Sequence, residues 1–110
     1  MERGCFHEVL ATFPGNAAYD FEVSVRECWH NPETGVFLSK PGRSEKELLF
    51  LYYSRNVPAI TSIDDHRIRV SLGDIDTVLC RTERWGNLTI EYDIACARYP
   101  LEGIRACKGR

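Results

Sequence analysis

The chain has 110 residues, of which 44% are hydrophobic and 27% are charged, and its formal net charge is −2 at pH 7. This length and composition suffice for one domain with a continuous hydrophobic core, and they exclude an intrinsically disordered chain and a strongly basic nucleic-acid-binding protein. We therefore expect a single compact domain over 1–110, and nucleic-acid binding through the basic tail at 98–110 is the weakest of the functions that we consider.

The N-terminal third of the chain predicts three strands. Residues 6–13 form the first, and the Pro-Gly-Asn sequence after it favours a turn because these residues preset or tolerate turn dihedrals. Between 19 and about 29, apolar and polar side chains alternate, which is typical of a strand with one buried face. Residues 35–40 predict a short third strand. The segment 19–29 has the clearest strand pattern in the chain.

Residues 45–55 predict the one helix of the domain. Ser44 and Glu47 have the spacing of a capping box, in which each side chain bonds a free backbone amide at the helix start. At the other end, Pro58 cannot continue a helix. Aromatic residues within the segment favour a strand instead, and a six-residue apolar run has no decisive period. Because both ends carry helix signals, we predict a helix.

The C-terminal half predicts a β-meander. Its strands are expected at 67–72, 76–81 and 87–96. The turns around them are expected at 64–65, 73–74 and 86–87. With the predicted helix, these elements indicate a β-dominated α+β domain, built on an antiparallel sheet or a partly open barrel. The alternative is an all-β sandwich.

The five cysteines are widely spaced, odd in number and without a C-x-x-C pair, which argues against a metal scaffold or a redox motif. The first twenty residues lack the basic start and apolar region of a secretory signal, so we expect a cytoplasmic protein with mostly free, buried cysteines. In an oxidising compartment, Cys5 and Cys107 are the pair that we expect to be bonded, since the termini of compact domains often lie close together.

Cys28 and His30 are the catalytic candidates that the sequence offers. Alternate side chains of a strand share a face, so the thiol and the imidazole would be neighbours, and the imidazole could lower the pKa of the thiol. No motif or orienting carboxylate accompanies them, so the alternative is an incidental pair. The Asp-Asp-His run at 64–66 offers metal ligands, but a polar turn before a strand explains it better. We predict neither a metal nor a cofactor.

The binding candidates are arginines and aromatic residues, which protein interfaces favour. Ile68 and Val70 point inward in the predicted strand, so Arg67 and Arg69 must point outward on one face. There they could meet the carboxylates or phosphates of a ligand, or pair with acidic residues of neighbouring strands. The complete set of binding candidates is Trp85, Arg84, Arg67, Arg69, Tyr52 and Tyr53.

These observations favour a non-enzymatic binding or protein-interaction domain, forming a homodimer through a sheet face or edge. The alternative is a small-molecule binding domain or enzyme, with an aromatic-lined pocket between the helix and the sheet. The partner could be a protein or a small anionic ligand. No apolar run approaches the roughly 18 residues of a membrane-spanning helix, so we expect no membrane contact.

Overall fold

Every regular element of the described structure is a β-strand. The computed structural model describes residues 6–16, 19–28, 32–40, 42, 44–97 and 107. The strands are β1 (Phe6–Asn16), β2 (Tyr19–Glu27), β3 (Glu33–Ser39), β4 (Lys46–Tyr53), β5 (Ala59–Asp64), β6 (Arg67–Ile75), β7 (Val78–Arg81), β8 (Arg84–Trp85) and β9 (Leu88–Ala97). Among these residues there is no helix of the length and apolarity needed to cross a membrane.

The strands form two sheets. The first has five strands in the order β1-β2-β3-β4-β7, and the second has four in the order β5-β6-β9-β8. Neighbouring strands are antiparallel except for β6 and β9, which run parallel with Arg67 beside Thr89 and Ile75 beside Ala97. The predicted antiparallel β-structure is therefore confirmed, apart from this one pair.

The two sheets enclose one hydrophobic core. Phe21 on β2 and Val70 on β6 each retain 1% of their accessible surface, and they belong to the same buried cluster. Across the cluster, the ring centroid of Phe50 lies 4.8 Å from that of Tyr92. The alternation of buried and exposed side chains along β2 and β6 points one face of each strand into this core. The architecture is that of an all-β sandwich, the alternative that the sequence left open.

The predicted α+β class, with a helix at 45–55, is wrong because this segment is strand β4. β4 lies inside the five-stranded sheet between β3 and β7, and it is buried on both faces. Leu48 on the outer face retains 5% of its accessible surface, and Phe50 on the core face retains none. A strand buried on both faces reads as a continuous apolar run, so its two-residue period disappears from the sequence.

The predicted C-terminal meander is also wrong, because its strands divide between the two sheets. β7 pairs with β4 in the first sheet, and β9 pairs with β6 in the second. Residues 73–74 lie within β6 and form no turn, whereas the turn at 86–87 joins β8 to β9, with Gly86 at φ 59°. β5 was not predicted, since five of its six residues are exposed and leave no alternation.

Candidate functional site

The outer face of the four-stranded sheet carries the three arginines proposed as contacts. Arg67 and Arg69 alternate with buried residues along β6, so both side chains extend into solvent. In the strand register, Arg67 lies beside Thr89 of β9, and Thr89 lies beside Arg84 of β8. Arg67 and Arg84 therefore flank Thr89 in a single row across three strands. Arg69 lies two residues further along β6, opposite Glu91.

The arginine row borders an open recess of about 420 Å³. Its wall includes Asp64, whose Oδ1 accepts the backbone N–H of His66 at 2.8 Å, so this carboxylate helps to form the β5–β6 turn. Glu91 contacts Arg67 and Arg69, each at 3.4 Å, as expected for cross-strand pairing. Arg84 makes no ion pair with another described residue, so its guanidinium group has the most freedom to meet a ligand.

Trp85 packs mainly against other residues of the same chain. Its ring packs against the core and meets that of Tyr19 edge-on, with the centroids 6.3 Å apart. The ammonium group of Lys40 lies 5.4 Å from the Trp85 centroid, within the range of a cation–π contact. Trp85 is half-buried.

The two tyrosine candidates have different environments. Tyr52 is a core residue with no accessible surface, and its hydroxyl donates a hydrogen bond to the carbonyl of Asn56 at 2.5 Å. Burial raises the pKa of Tyr52 above its ordinary value because water no longer stabilises the phenolate. Tyr53 is half-buried beside an open recess of about 450 Å³ that Asp74 and Asp76 also line. Only Tyr53 of the two is placed to touch a partner.

The catalytic hypothesis for Cys28 and His30 is not supported by the chemistry of the cysteine. Cys28 is disulfide-bonded, so it has no thiol for an imidazole to activate. His30 lies outside the described residues. The alternative pocket between a helix and the sheet also has no basis, because the predicted helix is β4. In the described part of the chain, no three histidine, cysteine or acidic side chains converge as a metal site.

The outer face of the five-stranded sheet contains a groove that we did not predict from the sequence. A row of directly opposed residues crosses the sheet from Val9 through Ser24, Gly35 and Leu51 to Cys80. The two small residues in the middle of this row form the floor of a groove of about 210 Å³. We call this surface the β1–β4 groove. Its floor is largely buried, since Ser24 retains only 5% of its accessible surface.

The groove depends on the absence of a side chain at Gly35, because the ring of Phe37 lies over this residue. A Cβ atom added at Gly35 would lie 2.8 Å from Cε1 of Phe37 and 3.2 Å from Cδ1 of Leu48. Any side chain there would therefore displace the aromatic ring or the leucine. A lone glycine inside a strand often marks such a close approach, so Gly35 in the predicted strand 35–40 was a signal for this surface.

Ion pairs flank the β1–β4 groove on both sides. Arg26 contacts Glu33 at 3.5 Å on one side, and Lys46 donates to Glu22 at 2.7 Å on the other. The first pair joins the neighbouring strands β2 and β3, and the second reaches from β2 to β4 across β3, so the charges neutralise each other locally. The groove therefore presents apolar surface between two neutral polar rims.

The groove row ends at the edge of the sheet. Among the described strands, β1 pairs only with β2, so its other side presents backbone groups without a strand partner. Val9 on this edge retains 48% of its accessible surface and Phe6 retains 47%. An edge strand with exposed apolar side chains is suited to pair with another strand.

No protein-family model, curated protein or solved structure matches this chain. The faces of the sandwich are therefore interpreted from their own geometry.

Proposed function

We propose that this chain is a non-enzymatic interaction domain that forms a homodimer through the edge of β1. The observation that carries the proposal is the exposure of Val9, which stands at the end of a row of side chains crossing the whole sheet. Pairing of β1 with β1 of a second copy would join the two five-stranded sheets into one.

Symmetry limits the register of this pairing. In an antiparallel dimer with a two-fold axis perpendicular to the sheet, one residue lies opposite its own copy. An axis at Glu8 would place two carboxylates opposite each other, which destabilises a strand pair. An axis at Val9 places two exposed valines together and continues the β1–β4 groove into the second copy. We therefore favour the axis at Val9.

Two register shifts along β1 restrict how far the pairing extends beyond Val9. β1 has register shifts between Val9 and Ala11 and again between Pro14 and Asn16. Bulges and proline are common devices that protect edge strands from unlimited association. The dimer contact would thus centre on the N-terminal half of β1, and association would stop at two copies.

The experiment that tests the proposal is light scattering coupled to size-exclusion chromatography, from micromolar to millimolar protein. We expect the mass to rise from one chain of 12.6 kDa to two chains across this range, without larger species. A constant monomer mass at every concentration would contradict the proposal.

The arginine row favours a second candidate function, the binding of a small anion. Arg67 and Arg84 flank Thr89 beside an open recess, and two guanidinium groups on rigid strands can bind a carboxylate or phosphate from both sides. Calorimetric titration with inorganic phosphate and with citrate tests this function. Binding should be lost in Arg84→Gln and retained in Arg55→Gln, where the arginine instead pairs with Glu27. Absence of heat with both anions would exclude it.

A further inference from the structure

Cysteine chemistry in the described structure differs from that of a cytosolic protein. Cys80 on β7 is joined to Cys107 by a disulfide, with the two Cα atoms 5.0 Å apart. Cys28 is also disulfide-bonded. Of the described cysteines, Cys96 is the one that forms no disulfide, and it is exposed. Cys107 therefore pairs with Cys80, whereas the sequence had suggested Cys5.

From these bonds we infer that the chain matures in an oxidising compartment, in which the Cys80–Cys107 disulfide fastens its C-terminal segment to β7. Glutathione and thioredoxin keep thiols reduced in the cytosol, whereas structural disulfides persist in secreted, periplasmic and surface proteins. This inference replaces the cytoplasmic location expected from the sequence.

The surroundings of the Cys80–Cys107 bond fit a structural role. Cys80 retains 7% of its accessible surface, and Cys107 is half-buried. The backbone N–H of Cys107 also donates to Oγ1 of Thr82 at 3.1 Å, so a hydrogen bond joins the same two segments. Cys80 lies opposite Leu51 at the far end of the groove row. The bond therefore fixes Cys107 at the edge of the five-stranded sheet that is opposite β1.

Formation of this bond requires an oxidant. Each thiol loses one proton, and the two sulfurs together lose two electrons as the sulfur–sulfur bond forms. Thiol–disulfide exchange passes these electrons to a disulfide donor, such as oxidised glutathione or an oxidised thiol oxidoreductase, which leaves as two thiols. An oxidising compartment supplies such donors, and a reducing cytosol removes them.

Peptide mapping tests the inference on the full, unmodified chain. The protein is produced in the same bacterial host, once in the cytosol and once exported to the periplasm, and free thiols are trapped by alkylation before trypsin digestion. Cys80 lies in tryptic peptide 70–81, Cys107 in 106–108 and Cys96 in 85–98. In the exported protein, we expect 70–81 and 106–108 to be recovered as one linked species and 85–98 to be alkylated.

Thermal unfolding gives the second readout. Closing a loop with a sequence separation of 27 residues restricts the unfolded chain, so loss of this bond in Cys107→Ser should lower Tm by about 10–20 °C. Complete reduction of the exported protein also breaks the disulfide of Cys28 and should lower Tm by at least as much, whereas the control Cys96→Ser should leave Tm within about 3 °C. Alkylation of both Cys80 and Cys107 in the folded, exported protein would overturn the inference. An unchanged Tm on complete reduction of that protein would also overturn it.

Discussion

Replacement of Val9 by lysine is the sharpest test of the proposed dimer. Val9 is 48% exposed, which corresponds to roughly 70 Å² of apolar surface on each copy at the edge of β1. Removal of this surface from water in both copies would contribute about 3–4 kcal/mol at about 25 cal/mol per Å². A lysine at the two-fold axis loses much of this burial and also places two ammonium groups opposite each other.

We expect Val9→Lys to raise the dimer Kd by about 100-fold or more, since about 1.4 kcal/mol corresponds to a factor of ten and the lysine stem retains part of the burial. Sedimentation velocity over a concentration series measures this shift. Val57→Lys is the matched control, because Val57 is 45% exposed but lies outside β1. If wild type and Val9→Lys dimerise with the same Kd, the edge of β1 is not the interface.

Three further predictions concern stability. Tyr92→Phe removes a hydroxyl that donates to the carbonyl of Thr82 at 2.6 Å. The free energy of unfolding, measured in urea titrations, should fall by about 1–2 kcal/mol, and no loss would mean that the hydrogen bond is not stabilising. Burial raises the pKa of both Tyr52 and Tyr92, so the stability that their protonated hydroxyls contribute is complete below pH 10 and declines above it. The free energy of unfolding should fall by up to about 2.7 kcal/mol per pH unit for the pair. A free energy of unfolding that stays constant from pH 9 to 11 would contradict this. Gly35→Ala should lower the free energy of unfolding by about 1–3 kcal/mol, because the added Cβ meets the Phe37 ring. The control Gly73→Ala has open space around it and should be neutral or slightly stabilising. Equal effects of the two substitutions would show that the ring does not pack on Gly35.

Strands with one buried face could be predicted from the sequence. The alternation between 19 and 29 appears as β2, with Phe21 and Val23 buried and Asp20 exposed, because the pleat of a strand converts every second position into core. The same reasoning applies to β6. In contrast, β4 is buried on both faces, so its apolar run shows no two-residue alternation. The helix signals that flank this run therefore led to a wrong prediction.

Strand order and the groove depend on contacts between distant segments. Nothing local in the sequence of β7 specifies that it pairs with β4, because a four-residue strand carries little pattern. The β1–β4 groove requires Ser24 and Gly35 to be direct neighbours, which follows only from the register of β2 with β3. The disulfide of Cys80 with Cys107 likewise depends on the path of the chain. Such features arise from topology and not from periodicity.

The parallel pairing of β6 with β9 has a consequence for how the molecule assembles. The connection between these strands contains β7, which hydrogen-bonds into the opposite layer of the sandwich. β9 therefore reaches its position beside β6 along a path that visits both layers. Neither layer can reach its final strand order as an autonomous folding unit, so we expect all-or-none unfolding. Pairings so distant along the chain also favour refolding in milliseconds to seconds over microseconds.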